Sequence, residues 1–342
     1  MPEMPSAAHE VEEDAGSHTP IERDGEDEAP TVTLSAIAIE PAELELTLRD
    51  GARPEASFAV RGTRSDGSES DVRAALFTLD DDALGTLGEA SGTFVPFGTA
   101  GGETTVRARV EVEGRTLEAS AVLRVRLVRE VIAANVPAEA VAAFDGTAIE
   151  DAARAAQVVY PLEGAVMPQN VFPADVQWLV GNAGDLFEVR YEKPHANVRA
   201  IVQHDGSPAF GHHYLLDQAA WRALASSDPD AALAITVTRF EAATSTLIAS
   251  PAVHMTFARA ALSGSIYYWD IEAGQIRRID DGTNQAVAFM PTPPEAIGGG
   301  RCVGCHSVSP SGRYMAGRLG GGDNVGGVFD LTTDLSQAVV PT

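Results

Sequence analysis

The stretch Thr104–Val112 has the sequence TTVRARVEV, and the stretch Ala119–Leu127 has the sequence ASAVLRVRL. Both alternate apolar and polar residues with a period of two, and both are rich in Val, Thr and Leu. Because successive side chains of a strand point to opposite faces of a sheet, this alternation is typical of strands with one buried face. The two stretches therefore predict an all-β fold in this part of the chain.

The same pattern extends back toward the N-terminus. Short alternating runs are separated by turn-forming clusters such as RDGARP, SDGSES and GTAGGE, in which Gly, Pro, Asp and Ser interrupt the strands. The runs are TVTLSAIAI at 31–39, LELTLRD at 44–50 and ASFAVRGTR at 56–64. Residues 31–128 are therefore expected to form an antiparallel β-sandwich of about seven strands.

Three local motifs in this region resemble the bacterial group 2 immunoglobulin-like domain. An opening I-x-P-A-x-x-x-L is present from Ile39 to Leu46, a central F-x-V-x-G-T-x-x-D-G from Phe58 to Gly67, and a closing G-x-x-T-V-R-A from Gly102 to Ala108. The resemblance implies a spacer or adhesive module of envelope proteins.

Residues 158–262 show a second all-β pattern, with the runs VQWLV, LFEVRYE, NVRAIVQ, LAITVTRF and AVHMTFARA. Trp178 and Tyr191 resemble the buried aromatic pair of a fibronectin type III or immunoglobulin-like sandwich. The segment DQAAWRALASS predicts one helical turn, with Trp221 closing an end of the core. The spacing of the histidines here matches no metal-ligand pattern and indicates polar loops; they are His195, His204, His212 and His213.

Two other segments separate or precede these sandwiches. Residues 1–30 contain ten Asp or Glu and one Arg without hydrophobic periodicity, which predicts a disordered acidic tail. Residues 129–157 are rich in Ala and broken by Pro137 and Gly146, which predicts a linker of short helices.

The sequence pattern changes again in residues 263–342. The segment Gly264–Asp280 predicts two strands joined by a tight turn at Glu272-Ala273-Gly274. The segment Ser307–Asp334 resembles the S-P-D-G-K repeat of TolB-like β-propellers, with Ser311 in place of the usual Asp. The remaining length is too short to close a ring of at least four blades, so the expectation is incomplete propeller blades.

The only two cysteines of the chain lie in the segment Cys302-Val-Gly-Cys-His306, which is a C-x-x-C-H pattern. Two thiols at this spacing can form thioethers to one porphyrin, and the following imidazole can ligate iron. Cys302 and Cys305 are thus candidate covalent tethers of haem c, and His306 is the candidate proximal ligand. A redox dithiol, a zinc site with an unidentified fourth ligand and an unoccupied motif remain alternatives.

Candidates for the sixth iron ligand follow from proximity in the sequence. Met315 lies nine residues after His306, and a thioether ligand would raise the reduction potential and favour electron transfer. The alternative is that Met315 is a core residue of a blade. Met290 and His254 are further candidates.

Composition limits the choice of partners and location. A net charge of −25 argues against binding nucleic acid or an anionic membrane surface. The sequence contains no run of 18 apolar residues, so no transmembrane segment is predicted. The N-terminus shows no signal peptide, although c-type haem belongs to exported proteins; the expectation is a signal or lipid-anchor segment upstream of the first residue.

Two functional hypotheses follow. The first is an exported haem protein of the periplasm or outer envelope that transfers electrons to an unidentified redox partner. The second is an envelope binding, adhesion or scaffold protein in which the C-x-x-C-H motif is structural or unoccupied. No acid–base pair accompanies the motif, and no Ser-His-Asp order is present, so an enzyme is not the predicted class.

Overall fold

Alternating burial along the strands determines the architecture of this chain. The structure is a computed structural model that describes residues 32–283, 285–295, 300–320 and 325–337. The predicted acidic tail, residues 1–30, lies outside the described residues. In the strand Gly102–Val112, alternate side chains are buried, as the sequence pattern predicts. The all-β fold class is confirmed.

The first sandwich is built from ten strands. They are β1 (Leu34–Glu40), β2 (Glu43–Arg49), β3 (Ala56–Ser57), β4 (Ala59–Arg64), β5 (Glu69–Asp71), β6 (Leu76–Leu79), β7 (Gly85–Leu87), β8 (Thr93–Pro96), β9 (Gly102–Val112) and β10 (Arg115–Ile132). Strands β2, β10, β9 and β6 belong to an 11-stranded sheet that continues into the second sandwich, and two three-stranded sheets, β1-β4-β5 and β3-β8-β7, complete the module. Phe94, Val106 and Leu123 are fully buried in its core.

The second sandwich follows a 3-10 helix at Ala138–Asp145. Its strands are β11 (Ile149–Glu150), β12 (Val158–Tyr160), β13 (Ala165–Pro168), β14 (Asp175–Trp178), β15 (Leu186–Lys193), β16 (Ala196–Gln203), β17 (His213–Leu215), β18 (Leu233–Glu241), β19 (Thr246–Ala249) and β20 (Val253–Ala258), with a second 3-10 helix at Pro208–Phe210. Strands β12, β14 and β17 form one layer, and β15, β16, β18 and β19 belong to the opposing sheet. Trp178 and Tyr191 are both buried in the core between them.

Strand β10 runs through both sandwiches. It is 18 residues long and pairs with β9 and β2 in the first sandwich. Its last residues, Leu127–Ile132, pair in parallel with Ala196–Ile201 of β16 in the second sandwich. The expected helical linker is therefore corrected: residues 129–132 continue a strand, and the rest holds one 3-10 helix, a short strand and turns. Residues 129–132 are Arg-Glu-Val-Ile and contain no Ala, so the alanine-rich prediction did not apply to them, and Val and Ile favour a strand. The alanine-rich residues that follow include the 3-10 helix at Ala138–Asp145.

Helix α1 (Gln218–Ser226) covers one end of the second core. The Asp217 side chain accepts a hydrogen bond from the backbone N–H of Ala220 and so caps the helix N-terminus. Trp221 is fully buried and contacts the Phe257 ring edge to face, with centroids 5.1 Å apart. The sequence predicted one turn here, and the structure contains a nine-residue helix.

The C-terminal region consists of two consecutive three-stranded antiparallel sheets. The first contains β21 (Ser265–Asp270), β22 (Gln275–Asp280) and β23 (Ala286–Met290), and the second contains β24 (Val303–Val308), β25 (Tyr314–Leu319) and β26 (Val325–Asp330). We call them the first and second meanders. A common apolar core that includes Ile276, Met290, Val303, Met315 and Phe329 joins them.

The described residues include no helix that is both long and apolar enough to cross a bilayer.

Candidate functional site

The C-x-x-C-H motif lies at a β-bulge in the second meander. The pairing of β24 with β25 is regular at Gly304, breaks over the next two residues and resumes at Ser307. Cys305 and His306 together therefore oppose the single residue Gly317. Cys305 has a φ of +48°, a left-handed conformation that is typical of the first residue in one class of bulge.

Gly317 is the partner that this bulge requires. A Cβ atom at this position would lie 2.6 Å from Cγ1 of Val303 and 3.4 Å from Cβ of His306. Val303 is fully buried, so it has little room to move away. The absence of a side chain at Gly317 thus allows the two strands to approach beside the motif.

Both thiols of the motif are free and reachable from solvent. Cys305 is exposed, and Cys302 is half-buried. The carbonyl of Cys302 accepts a hydrogen bond from the Gly320 N–H at 3.0 Å, which fixes the backbone before the bulge. The side chain of the adjacent Arg301 donates a hydrogen bond to the Pro293 carbonyl at 2.6 Å and forms a salt bridge with Glu295 at 3.1 Å. The charge of Arg301 is therefore already partnered.

His306 connects the two meanders. Its Nε2 lies 3.1 Å from the carbonyl oxygen of Tyr267 on β21. Because a carbonyl oxygen only accepts hydrogen bonds, Nε2 donates and carries a proton in this arrangement. Nε2 is thus committed to a backbone contact, and Nδ1 is the ring nitrogen that retains a lone pair. Tyr267 was not identified from the sequence, since no residue spacing relates it to the motif.

The candidates for a sixth ligand lie in different surroundings. Met315 and Met290 are fully buried in the apolar core that joins the meanders, so both occupy core positions. His254 lies on β20 of the second sandwich, and its Nδ1 is 3.5 Å from the carboxylate of Glu163. The structure does not bring His254 to the motif.

The turn that follows the motif retains its predicted shape without the usual Asp. The Gly312 N–H donates to the carbonyl of Ser309 at 2.8 Å, and Gly312 has a φ of +71°. The hydroxyl of Ser311 accepts a hydrogen bond from the backbone N–H of Arg313 at 3.4 Å. An Asp side chain often makes this bond in such turns. Arg313 also pairs with Asp330 at 3.1 Å and so ties the turn to the end of β26.

The four histidines that precede helix α1 in the second sandwich have local structural partners. The Nδ1 atom of His195 lies 2.6 Å from Asp228, and that of His213 lies 2.7 Å from Asp175. His204 stacks on Phe210, and His212 contacts His204 edge to face at 5.0 Å between ring centroids. Burial lowers the pKa of His212 below its usual value, and the neighbouring His204 makes a smaller contribution in the same direction.

The motif residues meet the requirements of haem c in part. Covalent attachment needs two accessible thiols, and Cys302 and Cys305 meet this requirement. With Nε2 of His306 bonded to the Tyr267 carbonyl, the ring nitrogen that retains a lone pair is Nδ1. Within the described ranges, no group of three or more His, Cys, Asp or Glu side chains is placed to hold a metal ion. The tethers therefore fit the group, whereas Met315, the predicted sixth ligand, is fully buried in an apolar core.

Comparisons with known proteins identify no family. No family model matches the chain, and no curated protein matches it by sequence. Among solved structures, mouse protocadherin-24 EC1-3 aligns with a TM-score of 0.21 and 8% identity, covering 67% of this chain and 71% of that one. Sidekick-1 immunoglobulin domains 1-5 align with a TM-score of 0.20 and 8% identity, covering 69% of this chain and 42% of that one.

The ICAM-5 D1-D4 ectodomain fragment aligns with a TM-score of 0.20 and 10% identity, covering 84% of this chain and 59% of that one. Scores this low do not establish a shared arrangement of the modules. The description of the chain as all-β, with two β-sandwiches, follows instead from its own strand pairing and cores.

Proposed function

We propose that this chain belongs to an exported protein whose C-terminal meanders carry covalently attached haem c at Cys302 and Cys305 and transfer electrons at the cell envelope. The observation that carries the proposal is a C-x-x-C-H segment whose two thiols are free and accessible to solvent. When bound, haem supplies a one-electron couple. We further propose that the two meanders are blades of a TolB-like propeller and that the partner is a redox protein of the periplasm or outer envelope.

The protein's own residues would contribute attachment and position. The exposed Cys305 and the half-buried Cys302 lie on either side of Gly304, which has no side chain to obstruct the approach of a flat ligand. Gly317 maintains the bulge that sets the direction of Cys305 and His306. Ligation through Nε2 of His306 would cost the hydrogen bond to Tyr267, a net loss of about 1 kcal/mol for an ordinary hydrogen bond, whereas ligation through Nδ1 would keep it.

Covalent attachment can be measured directly. The chain is produced with an export signal in a host that contains a c-type haem maturation system, and its intact mass and visible spectrum are recorded. We expect a mass increase equal to one haem and the absorption bands of a c-type cytochrome. Reduced and oxidised spectra would then give the reduction potential.

Two variants make the result specific. Replacing both Cys302 and Cys305 with Ala should abolish the mass increase, and replacing only Cys302 should leave a single thioether with shifted absorption bands. Ser307→Ala, an exposed change on the same strand, is the matched control and should retain haem. An unmodified chain from a host that matures a reference c-type cytochrome would refute the haem proposal.

A second candidate function is an envelope scaffold or adhesion protein, and the continuous strand β10 favours it. The two sandwiches are joined by a parallel ladder of six residue pairs. Hydrogen bonds across the junction include those from Gly101 N–H to Ser227 Oγ and from Leu127 N–H to the His195 carbonyl. Such a junction sets a fixed angle between modules, as a spacer needs. If the chain lacks haem, small-angle scattering that matches one rigid arrangement would support this candidate, whereas scattering from a flexible pair would contradict it.

A further inference from the structure

A cleft of about 660 Å³ lies between the second sandwich and the first meander. Tyr160 at the end of β12, Val166 on β13 and Ile266 on β21 contribute apolar wall. Asp175, Asp280 and Asp281 contribute carboxylates. We call this cleft the acidic groove. Its volume lies within the range typical of ligand-binding sites, about 300–1,000 Å³.

The apolar wall of the acidic groove is exposed to solvent. The exposed fractions are 38% for Tyr160, 64% for Val166 and 42% for Ile266. Single exposed apolar residues are ordinary, but several that line one concave surface mark a site of interaction. The wall therefore offers apolar contact to a bound partner.

The carboxylates give the acidic groove a negative charge. Asp280 is neutralised by Arg278 at 2.8 Å. An Asp175 carboxylate oxygen lies 2.7 Å from Nδ1 of His213, and Asp281 accepts a hydrogen bond from the side-chain amide of Asn170. Among the described residues, neither Asp175 nor Asp281 forms an ion pair with a Lys or Arg.

None of the described residues that line the acidic groove is a Lys or Arg. Two arginines reach its edge: Arg278 pairs with Asp280 at 2.8 Å, and Arg222 donates a hydrogen bond to the Gly282 carbonyl at 3.1 Å. The whole chain carries a net charge of −25, so its long-range field also attracts cations. Charge complementarity therefore favours a positively charged occupant.

The backbone beside the acidic groove suits an extended chain. Among the described strands, β12 lies at the edge of the sheet β12-β14-β17, so one side of it has no strand partner. An edge strand presents N–H and C=O groups that can pair with an added peptide strand. Alternate side chains of such a peptide would meet the apolar wall and the carboxylates.

We propose that the acidic groove binds a basic segment of a partner protein in an extended conformation, with Arg or Lys side chains next to apolar ones. Strand β21 links the groove to the C-x-x-C-H motif, because Ile266 lines the groove and the carbonyl of the next residue, Tyr267, accepts the hydrogen bond from His306. Since successive side chains of a strand point to opposite faces, Ile266 and Tyr267 face opposite sides of the first meander. The proposal does not depend on haem attachment, because the groove is formed by the polypeptide alone.

The probe is a fluorescein-labelled peptide of alternating Arg and Leu, and the measurement is fluorescence anisotropy with the full chain. Saturable binding is expected for this peptide and not for one in which Glu replaces Arg. Binding should weaken as NaCl rises from about 0.05 to about 0.5 M, because salt screens exposed charges. The double variant Asp175→Asn with Asp281→Asn should reduce affinity about five- to tenfold, since each exposed charge pair contributes modestly.

Control variants separate the acidic groove from the general field of the chain. Asp66→Asn with Asp145→Asn removes the same charge from exposed positions that do not line the groove and should leave affinity within about twofold, as expected of distant, screened charges. Ile266→Ser should weaken binding, whereas Leu76→Ser, at an exposed residue of the first sandwich, should not.

Three results would overturn the proposal. They are no saturable binding of the Arg peptide, equal losses in the two Asp double variants, and equal competition by free arginine amide, which would assign the groove to a small cation. Circular dichroism of each variant would show whether a loss of binding reflects unfolding. Haem attachment is read from mass in a separate experiment, so failure of either proposal leaves the other testable.

Discussion

Gly101 tests whether the two sandwiches form one rigid unit. A Cβ atom at this position would lie 2.0 Å from the carbonyl oxygen of His195, far inside contact distance. That oxygen already accepts the hydrogen bond from Leu127 at 2.8 Å, and the Gly101 N–H donates to Ser227 Oγ at 2.7 Å. Gly101→Ala must therefore displace backbone at the junction.

The expected cost follows from these contacts. Inserting a methyl group into a closely packed site typically costs about 1–3 kcal/mol, and weakening one ladder hydrogen bond adds about 1 kcal/mol. We therefore expect Gly101→Ala to lower the free energy of unfolding by about 2–4 kcal/mol. Gly146→Ala is the matched control: its Cβ would meet only the Ala143 carbonyl, at an ordinary contact distance of 3.5 Å.

The assay is urea denaturation followed by tryptophan fluorescence, since Trp178 and Trp221 both lie in the second core. In the wild type, the shared sheet should make the sandwiches unfold in one transition; in Gly101→Ala the transition should split or move to lower urea. Ser227→Ala, which leaves the Gly101 N–H without its acceptor, should cost about 1–3 kcal/mol. A Gly101→Ala protein within about 0.5 kcal/mol of the wild type would refute the rigid junction.

Three further changes test other parts of the structure. Arg239 is 1% exposed and pairs with Asp185 at 2.6 Å, so Arg239→Met should lower the free energy of unfolding by about 3–5 kcal/mol. A double variant that also replaces Asp185 with Leu should lose less stability. Equal losses in denaturant titrations of the two variants would contradict the pairing. Burial lowers the pKa of His212 from 6.5, so the unfolded chain takes up a proton first and stability should fall as pH drops below 6.5 toward the folded pKa. Denaturation at several pH values should show this slope, and His212→Asn should remove it; a slope unchanged in the variant would contradict the assignment. Gly317→Ala should lower the free energy of unfolding by about 1–3 kcal/mol, because the added Cβ would clash with Val303. Adding Val303→Ala should restore part of that stability. If thermal melts show no recovery in the double variant, the clash is not the cause.

The fold class and most strands could be predicted because local patterning and tertiary structure agree. Alternation in 104–112 and 119–127 corresponds to β9 and β10, and the turn at Glu272-Ala273-Gly274 joins β21 to β22. The region after residue 128 could not be predicted in the same way. The alanine-rich composition starts only at residue 133, and strand β10 extends to Ile132 by pairing with β16, whose partner residues lie about seventy positions away.

The candidate site shows a similar division. The spacing of Cys302, Cys305 and His306 was visible in the sequence, because covalent chemistry constrains residues that are adjacent in the chain. The hydrogen bond from His306 to Tyr267 and the clearance provided by Gly317 depend on strand register, which no local motif encodes. Haem attachment, the role of Met315 and electron transfer stay predictions.

The parallel pairing of β10 also has a mechanical consequence. Seven residue pairs join β10 to β2, and six join it to β16, all in parallel. A force that pulls the N-terminal end of β2 away from the C-terminal end of β10 loads the bonds of that ladder together, in shear, rather than opening them one at a time. The first sandwich should therefore resist stretching along the chain, and the continuation of β10 carries the load directly into the second sandwich.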